Sequence, residues 1–174
     1  AELPARFVSL VGPNASGKST LMMLASGRLC PSSGMIKLFE TDTRDFFPII
    51  RITKTDKGET QEIAQPKRNE EEKNILASVI YQNMEFETSE KVKELLKQVF
   101  ENGQFKGKSP AQFGNENIFE KVIEVFELSE ILERSISGIS KGELQRTLLA
   151  FSVLYGSKSI FMDEPLFAME YPQK

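Results

Sequence analysis

Gly12, Pro13, Asn14, Ala15, Ser16, Gly17, Lys18, Ser19 and Thr20 complete the pattern G-x-x-x-x-G-K-[ST], which ties the chain to one local architecture. Small side chains and residues that tolerate positive φ let the backbone curl, so its N–H groups point inward at the start of a helix, where the dipole favours anions. Lys18 is placed to reach the outer phosphates of a nucleoside triphosphate, and the Ser19 hydroxyl to hold Mg²⁺. The apolar run Phe7-Val8-Ser9-Leu10-Val11 predicts a buried parallel strand ahead of the loop. Leu21-Met22-Met23-Leu24 predicts that the helix continues behind it.

An acidic pair supplies the second half of such a site. Asp163 follows the apolar run Ser159–Met162, so its carboxylate is expected at the C-terminal edge of a sheet, near the phosphate loop. There it can orient Mg²⁺, usually through water. Glu164, one residue on, can activate or position a water at the γ-phosphate. Alone, an Asp-Glu pair is a solvated strand end. Beside an intact phosphate loop it reads as the metal and water side of a hydrolytic centre.

The rest of the chain alternates between strand and helix signals. A helix over about 18–28 leads to a turn at Pro31-Ser32-Ser33-Gly34 and a strand over 35–39. Ile50-Arg51-Ile52-Thr53 alternates, and Asp56-Lys57-Gly58-Glu59 closes a candidate hairpin returning through 60–63. Half the residues from Thr53 to Asn74 are charged. That stretch reads as a solvated, partly disordered excursion, with a docking or regulatory insert as the alternative. Residues 75–81 predict a buried strand ending at Gln82. Val92, Leu95, Leu96, Val99 and Phe100 form one helix face, and Ile118, Phe119, Val122, Ile123 and Phe126 another. A helix from Lys141 to about Tyr155, stopped by Gly156, precedes the strand that delivers Asp163. The expected fold class is α/β, a mainly parallel sheet flanked by helices, with 83–137 as a helical subdomain.

Bulk properties narrow the partners. The 174 residues suffice for one domain and are short for two; 40 % are hydrophobic and 27 % charged. A net charge of −3 provides no general attraction to nucleic acid or anionic lipid. The lone Cys30 excludes an intrachain disulfide and fits a reducing compartment. No apolar run is long enough to span a membrane, and no basic-then-apolar leader opens the chain. The chain starts at Ala1, ends soon after Glu164 and contains no histidine. It is expected to be a fragment, truncated at both ends, with weak turnover as it stands.

The phosphate loop, Asp163-Glu164-Pro165 and Ile139-Ser140-Lys141-Gly142-Glu143-Leu144-Gln145-Arg146 together resemble the nucleotide-binding domains of ATP-binding cassette (ABC) ATPases, a branch of the P-loop NTPases. In that family an L-S-G-G-Q signature is followed by Q-R. Here Ile139, Ser140 and Gly142 match its Leu, Ser and second Gly, while Lys141 replaces the first Gly and Glu143 the Gln. Gln82 matches the family's Q-loop, which contacts the metal, and Arg134-Ser135-Ile136-Ser137 resembles the lead-in to the signature. The likeness runs from about Phe7 to Glu170. It implies one ABC-type domain over 1–174, with 1–82 and 138–174 as nucleotide-binding core, 83–137 as helical subdomain and 53–74 as a polar insert. It also implies ATP and Mg²⁺ as ligands, with Ser19, Gln82 and Asp163 on the metal, and Glu164 and Gln82 in catalysis. Ser140, Lys141, Gly142 and Glu143 would act in trans, on the γ-phosphate held by a second ABC ATPase domain. The family's adenine-stacking aromatic and switch histidine find no counterpart here, and Glu170 stands where an Asp is expected.

Two functions follow from the resemblance. One is the ATP-hydrolysing subunit of an ABC transporter, on the cytoplasmic face of a membrane with transmembrane permease partners and no direct nucleic-acid contact. The other is a non-transport ABC ATPase acting on DNA or ribosomes. A degenerate module that no longer hydrolyses ATP is a third reading for so short a chain. Transport is favoured by the Gln145–Arg146 pair and the helical subdomain, and it rests on family analogy.

Overall fold

The computed structural model describes residues 8–55, 58–82, 84–104 and 117–164. They divide into two compact units, one ending at Asn69 and the other beginning at Glu70.

In the first unit, residues 8–13 have no regular secondary structure and lead to helix α1 (Lys18–Ala25). The strand expected at 7–11 does not form over its described residues, 8–11. Val8 and Leu10 are half exposed, and Val11 is 87 % exposed. An apolar run becomes a strand only where a neighbouring segment completes its hydrogen-bond ladder, and among the described residues none pairs with this one. Phe7 lies outside the described residues. Helix α1 stops short of the expected Arg28 because the Arg28 and Leu29 N–H groups both donate to the Met23 carbonyl, at 2.8 and 3.0 Å.

The expected strand over 35–39 contracts to β1 (Lys37–Leu38), antiparallel to β2 (Thr41–Asp42). Asp42 then caps a short 3₁₀ turn: its carboxylate accepts the Arg44 N–H at 3.0 Å and clasps the Arg44 guanidinium at 2.7 Å. These bonds hold the Asp42 carboxyl below the usual aspartate range. The hairpin forms as expected, with β3 (Ile49–Thr55) antiparallel to β4 (Gly58–Ala64) and Ile50 facing Ile63. Much of the charged stretch after Thr53 is therefore regular structure whose outer surface is solvated.

The second unit opens with helix α2 (Glu70–Leu76) and strand β5 (Ala77–Ile80). Helices α3 (Val92–Asn102), α4 (Ile118–Val125) and α5 (Lys141–Tyr155) follow, then strand β6 (Ser159–Met162). Strands β5 and β6 pair in parallel, from Ala77 opposite Ser159 to Ile80 opposite Met162. The two helix faces read from periodicity meet α5 around one core. Val92, Leu96, Val122, Leu128, Ile131, Ile136, Ala150 and Leu154 are buried there. The Phe100 and Phe119 rings close it edge to face, with centroids 6.0 Å apart. Helix α5 also touches β5, so one element joins the helices to the strands.

Two glycines act at the ends of these helices for different reasons. Gly156 stops α5 in the left-handed region, at φ +84°. Gly103 caps α3 at an ordinary φ of −84°, but a Cβ there would lie 2.5 Å from the Tyr155 carbonyl oxygen. Close approach of α3 to the end of α5 is what requires this glycine.

Leu96 is fully buried at the centre of the core. Leu96→Ala is expected to destabilise the protein by about 2–5 kcal/mol, the usual cost of deleting a buried leucine side chain. Urea unfolding followed by circular dichroism measures it, and a change below about 1 kcal/mol would show that the cluster is not the core.

Candidate functional site

The phosphate loop has the curl its composition predicts. Ala15 and Gly17 take positive φ, +61° and +86°, and the Ser16 N–H donates to the Pro13 carbonyl at 3.3 Å. Gly17 is the N-cap of α1, where the left-handed backbone turns the chain into the helix without steric cost. At Gly12 the close neighbour is the Ser16 hydroxyl, 3.0 Å from where a Cβ would stand, so a side chain there would need Ser16 to turn aside. The Lys18 ammonium folds over the loop and donates to the carbonyls of Gly12 and Pro13, at 3.0 and 2.7 Å. The cation is thus tethered over the concave backbone, and a phosphate placed there would give it a stronger, charged acceptor.

Within the second unit, parallel pairing brings Gln82 to Glu164. Beyond the last paired residues, Ile80 and Met162, the Asp163 N–H donates to the Ile80 carbonyl at 2.9 Å. Two residues past each strand, Gln82 Nε2 donates to Glu164 Oε2 at 2.5 Å. Glu164 has φ +50°, an uncommon conformation for a residue with a Cβ. The side chain is fixed at the mouth of the parallel pair with one oxygen engaged by an amide.

The signature-like segment forms the first turn of α5. Ser140 is its N-cap, and its Oγ accepts the Glu143 N–H at 3.3 Å. Glu143 Oε2 accepts the Ser140 N–H at 2.7 Å in return, which completes a capping box. Using Ser140 Oγ as acceptor leaves its hydroxyl hydrogen to be donated elsewhere. Glu143, a departure from the family pattern, is therefore a structural member of this turn. The Ser140 backbone and hydroxyl, and then the Arg134 guanidinium, hold the Glu143 carboxyl below the usual glutamate range. The spacing Ser140-x-x-Glu143 carried this information in the sequence. Arg134 figures in the sequence only as part of the lead-in to the signature, because its pairing with Glu143 at 3.1 Å depends on how the preceding turn folds back.

A cavity of about 330 Å³ joins these parts of the second unit. Gln82 and Glu164 line it together with Ser137, Lys141, Leu144 and Gln145. The residues expected to act together thus fall into two sets. Gln82, Asp163, Glu164 and the turn at Ser140–Glu143 lie in the second unit, and the loop at Gly12–Thr20 lies in the first.

The family model described as ABC transporter matches residues 4–167. The chain belongs to this family, as an ABC ATPase nucleotide-binding domain. An uncharacterized ABC transporter ATP-binding protein of Methanocaldococcus jannaschii is 30 % identical over 167 residues, 96 % of this chain and 24 % of that protein. A solved structure of a metal-chelate type ABC transporter, inward-facing, superposes with a TM-score of 0.54 at 17 % identity, over 92 % of this chain and 50 % of that one. The archaeal ribosome recycling factor aABCE1, solved with the ribosomal stalk protein aP1, superposes at 0.52 with 21 % identity, over 91 % of this chain and 22 % of that one. These likenesses establish the α/β P-loop fold. The chain spans about a quarter of the length of that curated relative.

ABC ATPases typically use Mg²⁺, and the donors this chain offers suit that ion. In the first unit the Ser19 hydroxyl is a hard oxygen; in the second, so are the Asp163 carboxylate and the Gln82 amide oxygen, which the Gln82 bond to Glu164, made through the amide nitrogen, leaves for a cation. No group of three or more His, Cys, Asp or Glu residues able to hold a metal occurs among the described residues. Mg²⁺ keeps several waters and takes ligands from substrate phosphates, so it calls on few protein oxygens.

Proposed function

We propose that this chain binds Mg-ATP and hydrolyses it as the nucleotide-binding domain of an ABC transporter. The observation that carries the reading is the Gln82–Glu164 hydrogen bond, which fixes a carboxylate at the mouth of the parallel strands. Gly12 to Thr20 would cradle the phosphates, with Lys18 on the outer ones; Ser19, Gln82 and Asp163 supply the oxygens that would hold Mg²⁺, which would offset phosphate charge. Glu164 accepts the proton of the attacking water, and Gln82 orients Glu164. The turn Ser140–Glu143 meets the γ-phosphate of a second ABC ATPase domain, so that ATP is sandwiched between two chains and hydrolysis releases them. Transmembrane permease subunits receive that motion on the cytoplasmic face. No helix among the described residues is long and apolar enough to cross a membrane.

The test is purification of the full chain from detergent-solubilised membranes and, separately, from a ribosome fraction, followed by phosphate release with Mg-ATP. Transport predicts a stoichiometric membrane-spanning partner whose presence changes turnover. Turnover stimulated by ribosomes or DNA, with no such partner, would establish the non-transport alternative.

A further inference from the structure

Arg134 occupies a position that no part of the proposed site accounts for. Its Nη1 donates to Glu143 Oε1 at 3.1 Å, and its Nη2 donates to the Gly138 carbonyl at 2.7 Å. The neighbouring carboxylate, Glu133, is already taken by Lys91 at 2.6 Å and Lys93 at 3.5 Å, which leaves Arg134 to Glu143. The guanidinium therefore spans the turn that precedes α5, from Gly138 to the third residue of the helix. Glu143 shares its other oxygen with the Ser140 N–H, so both carboxylate oxygens are held inside the turn.

The charge arithmetic gives this a purpose. A carboxylate in a helix's first turn suits the dipole, yet it repels any anion approaching the same turn. With Arg134 in place, Lys141 and Arg134 stand against Glu143 alone, and the turn is net positive. Without Arg134 the turn is neutral, and the Glu143 carboxylate is released from one of its two restraints.

We propose that Arg134 is a positioning residue: it pins and neutralises Glu143 so that the Ser140 hydroxyl and the first N–H groups of α5 can receive the γ-phosphate of the opposite protomer. This rests on the sandwich reading above. It explains how a chain with Glu143 in place of the family's Gln keeps an anion-accepting turn.

The experiment measures the ATP concentration at which the full chain dimerises, by light scattering after size-exclusion chromatography, in a Glu164→Gln background that suppresses hydrolysis. Arg134→Gln is expected to raise the midpoint about tenfold. The same change made on top of Glu143→Gln is expected to raise it less than twofold, because no carboxylate then remains to be neutralised. Arg134→Lys, which keeps the charge, should stay within about threefold of the parent and serves if Arg134→Gln proves unfolded by circular dichroism. An equal rise in both backgrounds would overturn the proposal, because it would mean that Arg134 acts only through the Gly138 carbonyl. An unchanged midpoint would also overturn it. A parent that binds ATP without ever dimerising would instead remove the sandwich reading itself.

Discussion

Lys18→Ala is expected to abolish measurable Mg-ATP binding while leaving the protein folded. The ammonium already donates to two loop carbonyls, so it is held where the β- and γ-phosphates would lie and loses little further freedom on binding. Hydrogen bonds to charged groups are worth about 1.5–3 kcal/mol each, and Lys18 would make two of them across the triphosphate. Losing both weakens binding on the order of a hundredfold or more. The fold should tolerate the change, because the two carbonyl bonds lie in an exposed loop where water takes the place of the ammonium. Isothermal calorimetry with Mg-ATP, beside a thermal melt of both proteins, makes the comparison. Equal affinities would mean that the loop does not bind the phosphates.

Glu164→Gln is expected to leave ATP bound but to slow hydrolysis by about 10²–10⁴-fold, the usual contribution of a positioned general base. The amide is isosteric with the carboxylate, and its oxygen can still accept the hydrogen bond from Gln82 Nε2. The substitution therefore isolates charge from geometry. With hydrolysis slowed, the ATP-bound dimer has no exit and should accumulate on size-exclusion chromatography when ATP is present. A mutant that stays monomeric and turns over ATP at the parental rate would show that the carboxylate at the end of β6 is not the base.

Both predictions were legible in the sequence to different degrees. The phosphate loop is a local motif: Gly12, Gly17 and Lys18 act through backbone geometry and charge that nine residues specify among themselves, and the structure returns the expected positive φ at Gly17. The same holds for α5, whose start at Ser140 and stop at Gly156 are both local signals. The run 8–11 departs from its expected strand for the opposite reason. Its apolar character is compatible with a strand, but strand formation depends on a partner that the run does not contain.

The sequence by itself determined the elements that close their own hydrogen bonds: α1, the three core helices, the β3–β4 hairpin and the curled loop. It also determined the residue types at each chemical position. Tertiary structure alone decided which of those residues meet. Gln82 and Glu164 are 82 positions apart and become partners because β5 and β6 pair in parallel with Ile80 opposite Met162. Arg134 reaches Glu143 because a short turn at Ile136–Gly138 folds the chain back onto the helix it is about to enter. Local structure follows from torsional preference and neighbouring hydrogen bonds, whereas register and fold-back follow from burying α3, α4 and α5 around one core.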